Sequence, residues 1–306
     1  MKSVWFPVVV LITIALMLAT LQYRLRLLNA PNAQGPYATV RIGELRSQPP
    51  YQHRVLAPWL AVQAQKATGI GLDEIEYAGR FIFLSAVLIT TFALVANMMG
   101  TALGFGGALL LAVLLPLGFF TNQVIDSYPA MLHLLLGLLA ILHRKLVWLL
   151  PIMTIGTLFR ESIGLLIPVF LLSSLPFEKK QQKWLWAGAL LAIYLAVRVG
   201  LALLFPGENM VFSLWYNLWY LLGEPLALLP RLVVILAPLL LAMWGLKHAD
   251  GLVRSMGVVG LVYAGLLFVV GRFDEMRIFY EVYVLLVPGI MAGVKMALES
   301  EKPLEV

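Results

Sequence analysis

Long apolar runs separated by short polar segments dominate the hydropathy pattern of this chain. A helix that crosses a bilayer needs about 20 apolar residues, and solid runs differ from the alternating pattern of a membrane β-barrel strand. The pattern therefore predicts an all-α polytopic membrane protein with about ten transmembrane helices. The runs cover approximately residues 4–21, 79–97, 103–120, 128–142, 146–159, 162–175, 184–205, 230–246, 255–271 and 279–295.

The composition supports the same class of protein. Hydrophobic residues make up 61% of the chain and charged residues 12%, and the mean hydropathy is +0.90. This leaves too little polar surface for a water-soluble globule. We expect residues 1–306 to form a single integral membrane domain, because the longest polar stretch, about 23–78, is only a long loop.

Residues 146–175 allow two interpretations. One continuous helix would be about 45 Å long, whereas each of two short helices would span about 21 Å of a 30 Å hydrocarbon core. Cytoplasmic loops collect basic residues, and only ten spans with both termini in the cytoplasm keep the basic loops on one side. The predicted cytoplasmic basic residues are Lys2, Arg144, Lys145, Lys179, Lys180, Lys183, Lys247, Arg254, Lys295 and Lys302.

This topology separates lysine from arginine. Eight of the nine lysines lie inside, Lys66 being the exception, and eleven of the thirteen arginines lie in the outer half. A guanidinium binds phosphate through two parallel hydrogen bonds, so the arginines indicate an anionic ligand at the outer face. The alternative is pairing with acidic residues and lipid headgroups. The outer arginines are Arg24, Arg26, Arg41, Arg46, Arg54, Arg80, Arg160, Arg198, Arg231, Arg272 and Arg277.

The stretch "TLFRESIGLLIP" contains Arg160 and Glu161 side by side. Either charge costs roughly 3 kcal/mol or more at the centre of a bilayer, so we place both at the outer tip of a helical hairpin. Half-length helices and Pro168 suggest that the tip faces a cavity and not lipid. Neighbouring residues do not face each other on a helix, so the two charges should have different partners.

Two further stretches carry acidic residues to the outer side. In "NQVIDSYPAML", Asp126 precedes a span, and either Asp126 or Ser127 is the expected N-cap, with Pro129 in the first turn. A functional role for Asp126 remains equally open. In "GRFDEMRIFYEVY", five charged residues precede or open the last span, and some are spaced to pair with each other. They are Arg272, Asp274, Glu275, Arg277 and Glu281.

The outer loops also predict helices that lie in the membrane interface. In the loop at about 23–78, Pro58 suits the first turn of a short helix from Trp59 to about Lys66. Asp73 and Glu76 have the spacing of a capping box at the start of the second span. The aromatic segment at about 211–225, which contains four Trp and Tyr residues, predicts an interfacial anchor.

Four motifs together resemble a family of bacterial integral membrane proteins that are themselves similar to glycosyltransferases of the GT-C fold. They are Arg54 in "YQHRVLAP", Asp126 at the start of a span, "FRES" and "DEMRIF". The resemblance implies a GT-C-like fold in the bacterial cytoplasmic membrane, a polyprenyl-phosphate-linked sugar as donor, and chemistry on the extracytoplasmic side. It also implies a catalytic carboxylate in the first outer loop, where this chain lacks a paired acidic motif.

We therefore assign expected roles by residue type. Asp126 is the first candidate for the catalytic base and Glu44 the second, because an acceptor hydroxyl needs a carboxylate within hydrogen-bond reach. The cationic candidates stabilise the leaving phosphate, and the other acids orient them or bind sugar hydroxyls. The expected substrate-binding residues are Arg54, Arg160, Glu161, Arg272, Asp274, Glu275 and Arg277.

Other classes of function remain open. A transporter or flippase for an anionic lipid-linked substrate would use the same arginines, and a non-catalytic membrane assembly subunit would use the charges to hold partner loops. The chain has no cysteine and its four histidines show no metal-ligand spacing, so no metal site is indicated. Mg²⁺ held by outer carboxylates and a phosphate stays an open alternative. Nucleic acid is not an expected partner, whereas membrane lipids are, and the oligomeric state is undetermined.

Overall fold

A computed structural model describes residues 5–28, 54–118, 127–174, 180–205, 215, 217, 225–249, 251–271 and 276–300. These residues form α-helices and short 3₁₀ segments, and none of them belongs to a β-strand. The α-helices are α1 (Trp5–Leu28), α2 (Leu56–Thr68), α3 (Leu72–Met99), α4 (Thr101–Leu114), α5 (Ser127–Leu142), α6 (Leu149–Phe159), α7 (Leu166–Leu172), α8 (Lys180–Leu204), α9 (Pro225–Leu246), α10 (Gly251–Val270) and α11 (Tyr280–Ser300).

The predicted all-α membrane architecture is confirmed. Five segments of the described chain are long and apolar enough to cross a membrane, and five shorter apolar helices accompany them. Large apolar side chains such as Leu185, Leu203 and Phe6 are more than two thirds exposed on the outside of the bundle, as lipid-facing residues should be. The five long segments are Trp5–Leu25, Leu72–Met99, Gln181–Leu204, Gly251–Val270 and Arg277–Ser300.

Helix α11 forms the centre of the bundle. Every residue from Tyr280 to Gly293 is buried, and α4, α9 and α10 pack around the helix. A helix that is apolar and buried on all sides needs close neighbours, and glycines supply the space. A Cβ atom on Gly245 of α9 would overlap the carbonyl oxygen of Gly289 in α11.

Small residues also join α3 to α4. A Cβ on Gly104 would lie 2.6 Å from the Cβ of Ala96 and 2.8 Å from the carbonyl oxygen of Phe92, so the two helices touch at their backbones. Gly100, which joins them, has φ +95°, a value that favours glycine. The small-residue run at the start of α4 therefore packs within the chain.

Residues 146–174 form two short helical segments. Helix α6 ends at Phe159, and Arg160 is extended at φ −163° and ψ 147°. A 3₁₀ segment, Glu161–Leu165, then leads into α7. The single long helix is therefore absent, and the break falls at the Arg160–Glu161 pair.

The helix ends gather into two groups. At one end, Ala57, Ala130 and Phe159 pack together, which joins the start of α2, the start of α5 and the end of α6. At the other end, Met99, Val253 and Ala292 belong to one cluster, which joins the end of α3, the start of α10 and the later part of α11. We call the first the arginine end, for Arg54, Arg80, Arg160 and Arg277, and the second the lysine end, for Arg144, Lys145, Lys183, Lys247 and Lys295.

The predictions for the outer loops have mixed outcomes. The short helix after Pro50 is present as α2, and Pro58 stands in its first turn, as expected. The prediction of a capping box at Asp73 and Glu76 is wrong. Helix α3 begins at Leu72, its N-cap is Gly71, and no side chain forms a capping hydrogen bond there. Most of the aromatic segment at 211–225 lies outside the described residues. Within it, Asn217 donates hydrogen bonds from Nδ2 to the carbonyl oxygens of Phe268 (2.9 Å) and Gly271 (2.6 Å).

Candidate functional site

The side chain of Arg160 is buried between three helix ends. Its Nη1 lies 2.9 Å from Oε1 of Glu281, at the start of α11, and 3.1 Å from Oγ of Ser127, the first residue of α5. Ser162 donates a hydrogen bond to the same Glu281 oxygen over 3.2 Å. Glu281 is fully buried, so a helix break, α5 and α11 are joined through one charged network.

Glu161 points to a different partner. Arg54, just before α2, donates from Nη2 to Oε1 at 2.5 Å and from Nε to Oε2 at 3.2 Å. This is the two-point contact in which a guanidinium edge matches a carboxylate. Tyr194 of α8 donates to the Glu161 carbonyl oxygen over 3.2 Å. The prediction that Arg160 and Glu161 have different partners is confirmed.

Exposure distinguishes the two pairs. The side chains of Arg160 and Glu281 are 2% and 0% exposed, whereas the side chain of Glu161 is 34% exposed and that of Arg54 is 9% exposed. Removing one partner of a fully buried pair leaves a charge without compensation, which is strongly unfavourable. The Arg54–Glu161 pair is only partly buried, because one third of the Glu161 side chain is exposed, so opening it should cost less than opening the Arg160–Glu281 pair.

A second buried pair lies in α3. Arg80 Nη2 and Glu76 Oε2 are 3.3 Å apart, and both side chains are almost completely buried. Charged residues inside a candidate span are expensive, and their default interpretation is functional. From the sequence, Arg80 is predicted only as an outer arginine and Glu76 as a capping residue. Their i, i+4 spacing in an apolar run was the signal for the pair.

Aromatic residues connect the helices at the same end. The rings of Tyr128 and Tyr280 stack at a centroid distance of 6.1 Å. Tyr280 donates to the carbonyl oxygen of Leu115 over 2.7 Å, and Tyr128 donates to Oε1 of Gln22 over 3.1 Å. The stacking and these bonds join α1, α5 and α11 to Leu115 at the end of α4. Tyr128 and Tyr280 are the sequence neighbours of Ser127 and Glu281, so these contacts lie next to the charged network.

Four arginines, Arg54, Arg80, Arg160 and Arg277, are buried at this end, and three glutamates form ion pairs with the first three of them. In a poorly solvated site, such charges act more strongly than they do in water. The arrangement is suited to holding an anion. The three glutamates are Glu76, Glu161 and Glu281.

The structure brings together part of the predicted site. Arg54, Arg160 and Glu161 form one connected group, and Arg277 lies in the 3₁₀ segment Met276–Phe279 that opens onto α11. Three residues that contact Arg160 or its partner were not predicted as site residues from the sequence: Ser127, Ser162 and Glu281. Five predicted site residues lie outside the described residues: Glu44, Asp126, Arg272, Asp274 and Glu275.

The described residues contain no group of three or more His, Cys, Asp or Glu side chains placed to hold a metal ion. Comparison of the chain with protein-family models, with curated protein sequences and with solved structures gives no match. A functional assignment therefore depends on the site itself and on the short motifs of the sequence.

Proposed function

We propose that the arginine end binds a polyprenyl-phosphate-linked sugar and that the protein transfers the sugar to an acceptor. In this proposal the protein spans the bacterial cytoplasmic membrane ten times, has both termini in the cytoplasm and places the arginine end on the extracytoplasmic side. The main support is the two-point contact of Arg54 with Glu161, whose side chain is one third exposed.

The contact supports phosphate binding for a chemical reason. The edge of Arg54 formed by Nε and Nη2 holds two carboxylate oxygens, and a phosphate offers two oxygens with similar geometry. Glu161 then occupies the position that the phosphate would take. A lipid phosphate that displaces it gains Arg54, while Arg160 remains held by Glu281.

The reaction follows from the chemistry of such a donor. The acceptor hydroxyl attacks the anomeric carbon, the bond between that carbon and the phosphate oxygen breaks, and the phosphate leaves with the electron pair. Arginines stabilise the charge that builds on it. The proton passes to a carboxylate, with Asp126 as first candidate and Glu44 as second. Arg272 and Arg277 extend the cationic set, and Asp274 and Glu275 bind sugar hydroxyls or orient the arginines.

Binding of polyprenyl phosphate to the purified protein tests the proposal. We expect Arg54→Gln to weaken binding by about tenfold or more, equivalent to about 1.4 kcal/mol. Glu161→Gln should strengthen binding, because the competing charge is removed. Arg254→Gln is the matched control, since Arg254 is exposed at the start of α10. Titration by native mass spectrometry measures all three. If Arg54→Gln behaves as the control does, the arginine end is not a phosphate site.

Turnover separates a transferase from the other classes. Asp126→Asn should abolish sugar transfer and leave folding intact, and an unchanged rate removes Asp126 from the mechanism. If polyprenyl phosphate binds but no sugar is transferred, and labelled lipid crosses reconstituted vesicles, the flippase is favoured. If no lipid binds and charge removal weakens a complex with other membrane proteins, the assembly subunit is favoured.

A further inference from the structure

A groove between α5 and α6 on the outside of the bundle runs from His133, whose ring packs on Phe159, to Lys145 and Trp148 at the lysine end. It encloses a cavity of about 410 Å³, a size typical of small-molecule sites. Leu136 and Ala140 lie on one face of α5, and His143 directly follows the helix, so the three extend about 10 Å along its axis. Ile152 and Ile155 line the groove from α6. The groove is thus long and apolar, a shape that fits a hydrocarbon chain.

Basic residues stand at one end of this groove. His143 and Lys145 belong to its wall, Arg144 lies between them in sequence, and all three are exposed. Neither Arg144 nor Lys145 forms an ion pair with another described residue. Helices α5 and α6 and the turn between them contain no acidic residue. Trp148, 63% exposed, lines the same end, where an interfacial aromatic residue is expected.

The backbone of the turn between α5 and α6 is strained at Arg144. Lys145 N donates to Ala140 O (2.8 Å) and Arg144 N donates to Ile141 O (3.1 Å), which is a Schellman ending of α5. Arg144 has φ +57° at the position that usually holds glycine. A non-glycine residue is disfavoured in this conformation, because its Cβ comes too close to the following carbonyl oxygen. Arg144 keeps this conformation although glycine would adopt it more easily. Such backbone outliers often occur at functional sites.

We propose that this groove binds one anionic diacyl phospholipid, with an acyl chain along α5 and α6 and the phosphate at Arg144 and Lys145. Charge complementarity selects an anionic headgroup over a zwitterionic one, because two cations stand at the mouth and neither α5, α6 nor the turn between them contains an acidic residue. The apolar wall accepts the chain, and Trp148 marks the level of the headgroup. The site is at the lysine end and does not depend on the proposed transferase activity.

Native mass spectrometry with added phosphatidylglycerol or phosphatidylcholine of equal chain length tests the headgroup site. We expect wild-type protein to retain phosphatidylglycerol in preference to phosphatidylcholine. The double variant Arg144→Gln and Lys145→Gln should lose at least tenfold in phosphatidylglycerol binding and none in phosphatidylcholine binding. The control is Lys247→Gln with Arg254→Gln, which removes two exposed charges at the same end of the bundle. An equal loss in the control would mean general surface attraction and would overturn the site.

A second pair of variants tests the groove. Ile155→Trp fills it and should reduce binding of both lipids, whereas Leu240→Trp, on an exposed face of α9, should not. Leu136→Trp provides an independent filling variant if Ile155→Trp does not give a monodisperse protein in gel filtration. If a folded filling variant binds phosphatidylglycerol as the wild type does, the acyl chain lies elsewhere and the proposal is wrong.

Discussion

The two ends of the bundle differ in how deeply most of their positive charges are buried. Lys183 is the exception at the lysine end, since its Nζ donates a hydrogen bond to the carbonyl oxygen of Ser173 over 2.5 Å. At the arginine end, Arg54, Arg80 and Arg160 are buried and contact glutamates at 2.5–3.3 Å. At the lysine end, Lys247 and Lys295 are exposed, and the pair of Lys295 with Glu299 is long, at 3.9 Å. Lysines that only face a headgroup region need no fixed partner, whereas a buried guanidinium does. The contrast supports the proposed site at the arginine end.

The helices are also held together differently at the two ends. Side-chain ion pairs and hydrogen bonds join α5, α11 and the α6 break at the arginine end. Near the lysine end, α9 and α11 touch through glycine backbones. Close backbone packing is a usual way to join helices in a bilayer, whereas a buried charge network there is rare and expensive. The following predictions test this comparison, beginning with the largest expected effect.

Removing the fully buried carboxylate should have the largest effect on stability. Glu281→Ala leaves Arg160 buried without this partner, and we expect a loss of about 3–5 kcal/mol in the free energy of unfolding. Glu299→Ala, on the exposed end of the same helix, should change stability by less than about 0.5 kcal/mol. Thermal unfolding in mild detergent measures both. Similar values for the two variants would remove the distinction between the ends. The double variant Arg160→Met with Glu281→Leu should recover part of the loss.

Adding a methyl group where α9 and α11 touch should have the next largest effect. Gly245→Ala forces the two backbones apart, and overpacking of this kind costs about 1–3 kcal/mol. Gly188→Ala in α8 is the control, because nothing lies within 4 Å of its Cβ and alanine favours the helix. The control should be neutral or slightly stabilising in the same unfolding measurement. A harmless Gly245→Ala would mean that close glycine packing does not hold the lysine end.

The helices of this fold could be predicted from the sequence, and the pairing of its charges only in part. Apolar runs identify helices because lipid-facing and core residues are both apolar, and the break at Arg160 follows from its charge. The partner of Arg54 is 107 residues away, and Ser162 and Glu281 are 119 residues apart. Such contacts depend on how the helices pack, and a single sequence contains no signal of it. The Glu76–Arg80 pair lies within one helix, and there the capping interpretation was the error.

Neutralising Glu161, the carboxylate that a phosphate would displace in our proposal, should lower the free energy of unfolding only slightly. Glu161→Gln weakens a pair that water reaches, so the expected loss is about 1 kcal/mol or less. The result is compared with Glu281→Ala in the same unfolding assay. A loss as large as that of Glu281→Ala would show that Arg54 and Glu161 brace the fold. The contact would then not open for a phosphate, and the proposed donor site would lose its main support.

The smallest predicted effect is a gain. Arg144→Gly should raise the free energy of unfolding by roughly 0.5 kcal/mol, because relief of the strain at φ +57° is partly offset by the freedom of glycine in the unfolded chain. Lys145→Gly, at φ −88°, relieves no such strain and should be neutral or destabilising. If Arg144→Gly is more stable yet retains less phosphatidylglycerol, the arginine holds lipid at the expense of stability. If it loses stability instead, its side chain supports the turn, and strain no longer argues for a lipid site.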